Sequence, residues 1–156
     1  MDGKRRDILK TGGGMALVTL LAAAGWLKPE EALAQARHKA FEGKTMDEAL
    51  KALGAGTPPT SKDIAFVSTP DIAENGAVVP IGIASAIPKT EAIAILIEKN
   101  ANMLSAIFDI PAGTDPAIST RVKMAQTSNV YALVKADGKY YVASKEIKVT
   151  LGGCGG

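Results

Sequence analysis

The sequence is poor in the groups that most protein chemistry uses. It holds one cysteine, Cys154, and one histidine, His38, in 156 residues. A single cysteine excludes an intramolecular disulfide and leaves a zinc site short of thiolate ligands. A single histidine ties any Cys–His or Ser–His–Asp chemistry to His38, which lies in the run Arg37-His38-Lys39 and reads as a solvated residue. Aromatics make up 4% of the chain, so the core has to be aliphatic, and apolar residues at 47% suffice to build one. Stability then rests on many Ile, Val and Leu contacts, each worth roughly 1.5–3 kcal/mol when fully buried. An excess of one charge is also missing. The net charge is +2, and from Arg37 onward 13 Lys and Arg stand against 12 Asp and Glu. No stretch interleaves basic with aromatic residues, so nucleic acid is not an expected partner. The length suits one ordinary domain.

What is present begins with an address. Lys4-Arg5-Arg6 forms a basic start, Thr11 to Leu27 is apolar, and Ala34-Gln35-Ala36 supplies a small-x-small cleavage site. The apolar stretch is 17 residues long and diluted by Gly12, Gly13, Gly14 and Gly25. A membrane span takes about 20 strongly apolar residues, so no stable membrane insertion is expected, an uncleaved anchor being the alternative. Arg5 and Arg6, followed by Asp7-Ile8-Leu9-Lys10, resemble the twin-arginine signal, which exports folded cargo. An ordinary secretory signal is the competing reading. Either way residues 1–36 are expected to be removed and the rest exported to the periplasm, where a lone free thiol is unusual.

Residues 37–61 are read as a short helix and a connector. Thr45-Met46-Asp47-Glu48 has the form of a capping box, and Met46, Leu50 and Leu53 recur at helical spacing before Gly54. Pro58-Pro59 stiffens the connector. Over 62–151 the pattern changes to short β-type runs: Ile64–Val67, Ala77–Ala86, Ala92–Ile97, Met103–Ile110, Ser119–Thr127, Val130–Ala136 and Lys139–Thr150. Asn75-Gly76 and Asp137-Gly138 are turn signals, the second a strong hairpin signal. Seven such runs predict an all-β, immunoglobulin-like antiparallel sandwich with a short N-terminal helix.

No catalytic constellation emerges. Gly12-Gly13-Gly14 follows no strand and is no phosphate loop. Asp109, Asp115 and Glu98 could approach one another, but surface carboxylates are the default. No cofactor or metal is expected on the chain, which reads as a scaffold and not an enzyme. Its notable chemistry is the closing segment, Gly152-Gly153-Cys154-Gly155-Gly156. Glycine populates positive and negative φ alike and carries no Cβ, so residues 152–156 make a flexible arm of little bulk. Four glycines at fixed places around a cysteine arise by chance at about 2 in 10⁵ for ~7% glycine usage. Five residues reach roughly 17 Å, enough to carry a sulfur into a narrow pocket of another protein. No Lys, Arg or His flanks Cys154 to lower its pKa, so the thiol reads as a handle that a partner enzyme activates. A module that merely dimerises through a Cys154 disulfide is the alternative.

The tail, with Ile147-Lys148-Val149-Thr150 before it, resembles the carboxyl terminus of the SoxY family, the sulfur-compound carrier subunits of the periplasmic thiosulfate-oxidising system. Pro70-Asp71-Ile72-Ala73-Glu74-Asn75-Gly76-Ala77-Val78-Val79-Pro80 is similar to that family's most recognisable internal segment. Glu98-Lys99-Asn100, Ser119-Thr120-Arg121-Val122-Lys123-Met124-Ala125 and the leader also look like family segments. Ala101-Asn102-Met103 departs from the pattern where many relatives carry prolines. The resemblance implies an immunoglobulin-like sandwich that pairs with a second sandwich, SoxZ, and is exported with it. It implies that a c-type haem enzyme joins Cys154 to thiosulfate as a cysteine S-thiosulfonate. A hydrolase then releases sulfate, and in some organisms a sulfane dehydrogenase oxidises the sulfur that remains.

Overall fold

The computed structural model describes residues 29–150. By compactness the chain divides into two units, Met1–Ala36 and Arg37–Gly156. Helix α1 spans Pro29–Glu42 and α2 spans Met46–Leu53. Eight strands come after them: β1 Ile64–Val67, β2 Ile72–Ala73, β3 Val79–Ser85, β4 Thr90–Ile97, β5 Leu104–Asp109, β6 Ala117–Val122, β7 Ser128–Ala136 and β8 Lys139–Val149.

The expected capping box forms. Thr45 Oγ1 accepts from the Glu48 amide at 3.2 Å, and the Glu48 carboxylate accepts from the Thr45 amide at 3.4 Å. Gly54 closes α2 in the left-handed region at φ 70°. Helix α1 is not expected from the sequence pattern. Its residues favour helix by propensity (Ala, Glu, Leu, Gln, Arg, Lys) without a clear apolar stripe, so periodicity does not reveal it.

The strands form the expected sandwich, one sheet in the order β1-β3-β6 and the other β2-β8-β7-β4-β5. The antiparallel expectation needs one correction, because β2 joins β8 in parallel, with Ile72 opposite Lys148 and Ala73 opposite Val149. Two residues are too few to show an alternation, which is why β2 escapes a pattern search. Asp137 and Gly138 both take positive φ, 49° and 74°, the conformation of a two-residue turn whose twist matches its strands. They join Ala136 to Lys139 at the tip of the β7–β8 hairpin.

Between the sheets lies an aliphatic core. Val79, Ile81 and Ile83 of β3 meet Ile93, Ile95, Ile97, Val130, Val134 and Ile147 of the larger sheet, all fully buried. The larger sheet is covered on its other face as well, where Ala94, Leu96, Leu104 and Leu133 pack against Ala40, Ala49 and Leu50. Burial on both faces explains the uninterrupted apolar run in β4.

Candidate functional site

Most residues singled out in the sequence lie outside the described region: Cys154, Gly152, Gly153, Gly155, Gly156, Arg5 and Arg6. Ala34 and Ala36 fall within α1, Ala34 exposed and Ala36 half-buried. His38 is 78% exposed, with Nδ1 3.6 Å from Glu42 one turn on, in agreement with a solvated residue. The three carboxylates do not form a group. Asp109 accepts from Nη1 and Nη2 of Arg37, at 2.8 and 2.5 Å, while Glu98 accepts from Asn129 Nδ2 at 2.9 Å. Among the described residues no three His, Cys, Asp or Glu side chains group as metal ligands would.

What the fold does position is the point from which the arm departs. Antiparallel pairing of β7 with β8 stops at Ser128 opposite Ile147. The next three amides of the chain find other partners. Lys148 donates to the Asp71 carbonyl at 2.9 Å and Thr150 to the Ala73 carbonyl at 3.0 Å, both on β2 or its approach. Between them the Val149 amide points the opposite way and donates to Thr127 Oγ1 at 2.9 Å. A side-chain hydroxyl thus replaces the rung that β7 no longer supplies. Ile147, just before, is fully buried.

β2 in turn is held by a corner in the chain. The backbone leaves the smaller sheet at Val67, turns through Ser68 at φ 51°, and buries Thr69. Thr69 Oγ1 accepts from the Gly82 amide at 3.0 Å, replacing another missing rung. Lys145 of β8 donates to the Thr69 carbonyl at 2.6 Å and pairs with Asp71 at 2.9 Å.

Three separate family-like segments converge at this same end. Asn100 Nδ2 donates to the Lys123 carbonyl at 2.7 Å, and its Oδ1 accepts from the Ala125 amide at 3.1 Å. The Met124 amide donates to the Gly76 carbonyl at 2.7 Å. A Cβ on Gly76 would lie 2.5 Å from the Met124 carbonyl oxygen and 2.9 Å from Val149 Cγ1, so the position admits no side chain. These contacts also explain why β6 ends at Val122. The alternation runs on through buried Met124, but from Lys123 the backbone bonds to Asn100 and Gly76 instead of a strand. Sequence reasoning missed Thr127 and β2. The one available signal for Thr127 is a hydroxyl residue just before a strand start, which is too common to single out.

At the opposite end lies an open cavity of about 610 Å³, lined by residues that include Ile87, Pro88, Lys89, Ile110, Pro111 and Asp137. Several of its polar side chains are engaged. Ser85 and Thr90 hydroxyls bond at 2.9 Å, Lys89 pairs with Asp137 at 3.3 Å, and Glu91 pairs with Lys135 at 3.3 Å. The hydrogen bonds from Arg37 hold the Asp109 carboxyl below the usual carboxylate range, and the same bonds raise Arg37. Burial raises the Tyr131 hydroxyl on the helix-covered face of the sheet.

Against known proteins, the profile of the family described as sulfur oxidation protein SoxY matches residues 49–154, so the matched span reaches the cysteine itself. Among solved structures, the sulfur carrier protein SoxY from Chlorobium limicola f thiosulfatophilum is 38% identical, with a TM-score of 0.60 over 69% of this chain and 97% of that one. The human F-spondin reeler domain is 9% identical, with a TM-score of 0.40 over 60% of this chain and 92% of that one, too distant to support an argument. A search of curated proteins finds no match.

Proposed function

The chain belongs to the SoxY family of sulfur oxidation proteins, and from that premise we propose that it is a covalent sulfur carrier whose attachment point is Cys154. One observation carries the reading: the family match runs from the sandwich to Cys154, the sole cysteine, set among Gly152, Gly153, Gly155 and Gly156 shortly after the end of β8. The domain holds the root while the glycines let the sulfur enter another protein's active site. The carrier has no turnover of its own.

The loading step joins the Cys154 sulfur to the sulfane sulfur of thiosulfate. The S–H proton is released and two electrons leave, taken by a c-type haem partner, and the product is a cysteine S-thiosulfonate with one negative charge. Hydrolysis by a second enzyme breaks the bond to the sulfonate sulfur. Water supplies the fourth oxygen of sulfate, and a persulfide remains on Cys154 for a sulfane dehydrogenase where one exists. No cofactor is bound by the carrier. A SoxZ-like sandwich is its proposed standing partner, and the pair travels through the twin-arginine route directed by Arg5 and Arg6 to the periplasm. On this reading the leader is removed after Ala36.

Intact-mass measurement after incubation with thiosulfate and the haem enzyme tests this. One adduct on the wild-type chain and none on Cys154→Ala supports it. Thiosulfate oxidation that survives Cys154→Ala in a reconstituted system refutes it. A stable Cys154 disulfide dimer with no adduct would point to the dimerising module.

A further inference from the structure

Chain arithmetic sets a puzzle about reach. From Thr150 to Cys154 are four residues, roughly 14 Å when extended. From Ile147 the count is seven, roughly 24 Å. The difference lies in Lys148, Val149 and Thr150, and these are held unlike the rest of β8. Their amides bond to a two-residue edge strand and to one hydroxyl, not to a long neighbouring strand. Lys148 and Thr150 are exposed, so the half-buried Val149, packed at the margin of the core, is the apolar contact that resists their release. On β2, Ile72 is 57% exposed and only Ala73 is buried. Peeling would end abruptly at Ile147, which is fully buried and paired with Ser128.

We infer that Thr127 is a positioning residue for the arm, a catch that keeps Lys148–Thr150 in reserve and whose release lengthens the arm by about 10 Å. The assignment rests on the carrier reading for its purpose, though the catch itself is a property of the fold. A partner whose reactive centre lies deeper than about 14 Å would draw the reserve out, exchanging the hydrogen bonds of Lys148, Val149 and Thr150 for its own contacts. Thr127 is suited to the task because its hydroxyl can lose the Val149 amide to water, whereas a β7 carbonyl in the ladder is fixed by its neighbours.

Two measurements decide the matter, both on the mature chain with its partner subunit. In hydrogen exchange, Thr127→Val should speed the Val149 and Thr150 amides by roughly tenfold, leaving those of central β7 unchanged. Thr127→Ser, which keeps the hydroxyl, should match wild type. Equal protection in Thr127→Val and wild type overturns the catch, and so does equal loss in Thr127→Ser. The second measurement deletes Gly152 and Gly153 and tracks the thiosulfate adduct formed by the haem enzyme. The shortened arm should load at least tenfold more slowly, and adding Thr127→Val should restore most of the rate by freeing three residues. A shortened arm that loads normally, or one that Thr127→Val does not rescue, overturns the reserve. If the full-length wild type takes no adduct at all, it is the carrier reading that fails, and the exchange result alone then decides on the catch.

Discussion

The two ends of the sandwich are fastened by different chemistry. At the end remote from the arm, ion pairs cross between elements: Lys89 with Asp137, Lys135 with Glu91 and Arg37 with Asp109. The hairpin tip there is shaped by positive φ at Asp137 and Gly138. At the arm end the crossing contacts are mostly neutral, made by Thr127, Thr69, Asn100 and backbone amides. Lys145 with Asp71 is the ion pair at that end among the described residues. Exposed ion pairs are weak and screened by salt, typically below about 1 kcal/mol. Hydrogen bonds from one side chain to two backbone groups are geometrically demanding and scarcely respond to salt. The difference teaches that the end from which the arm departs is set by directional contacts that salt does not screen, while the other end is kept closed by weak charge pairs.

The strongest test of that contrast separates stability from delivery at the arm end. Ile147→Ala removes a fully buried side chain just before the root and should cost about 2–5 kcal/mol, read as a fall in calorimetric Tm. Cys154→Ala should leave Tm unchanged and abolish the thiosulfate adduct. Should Cys154→Ala also lower Tm, the arm would be part of the packed domain and the division between root and cargo would not hold.

Next in size is Asn100→Ala. It unfastens the Lys123 carbonyl and the Ala125 amide together, at a cost of about 1–3 kcal/mol. Because Met124 and Thr127 lie on the same connection, exchange at Val149 should also quicken. The matching change at the far end is Gly138→Ala, which strains a residue at φ 74° by roughly 1 kcal/mol. It should lower Tm slightly and leave both Val149 protection and adduct formation as they were. Equal effects of the two variants on Val149 would erase the distinction between the ends.

Sequence patterns reveal the far end and the core better than the arm end, for physical reasons. Alternation and turn residues are local, so β1, β3, the β7–β8 hairpin, the Thr45–Glu48 box and Gly54 are legible. Buried on both faces, β4 still stands out as an unbroken apolar run. The arm root is illegible because it is assembled from contacts distant in sequence. Thr127 meets Val149, and Asp71 and Ala73 meet Lys148 and Thr150, none of which leaves a local period. What sequence does offer there is likeness: the segments around Gly76, Asn100 and Met124 are each recognisable alone, and the fold brings them to one place. Helix α1 is the opposite case, local but written in propensity and not in pattern.

The smallest expected effect is also the one that pH resolves. Asp109 is held below the ordinary carboxylate range by Arg37, so its contribution is present above the unfolded value of about 3.9 and is lost as pH falls through the folded value. With the Asp109 side chain 61% exposed, the pair is worth less than about 1 kcal/mol. Asp109→Asn should therefore lower Tm by at most a few degrees at neutral pH. The difference from wild type should begin to shrink below about pH 4, and also at high salt, where an exposed pair is screened. Protection of the Val149 amide, held by a hydroxyl that does not titrate in this range, should show neither trend once intrinsic exchange is allowed for. If Asp109→Asn loosened Val149, the far-end pairs would be coupled to the arm root through the long β4–β7–β8 sheet, and the two ends would act as one device.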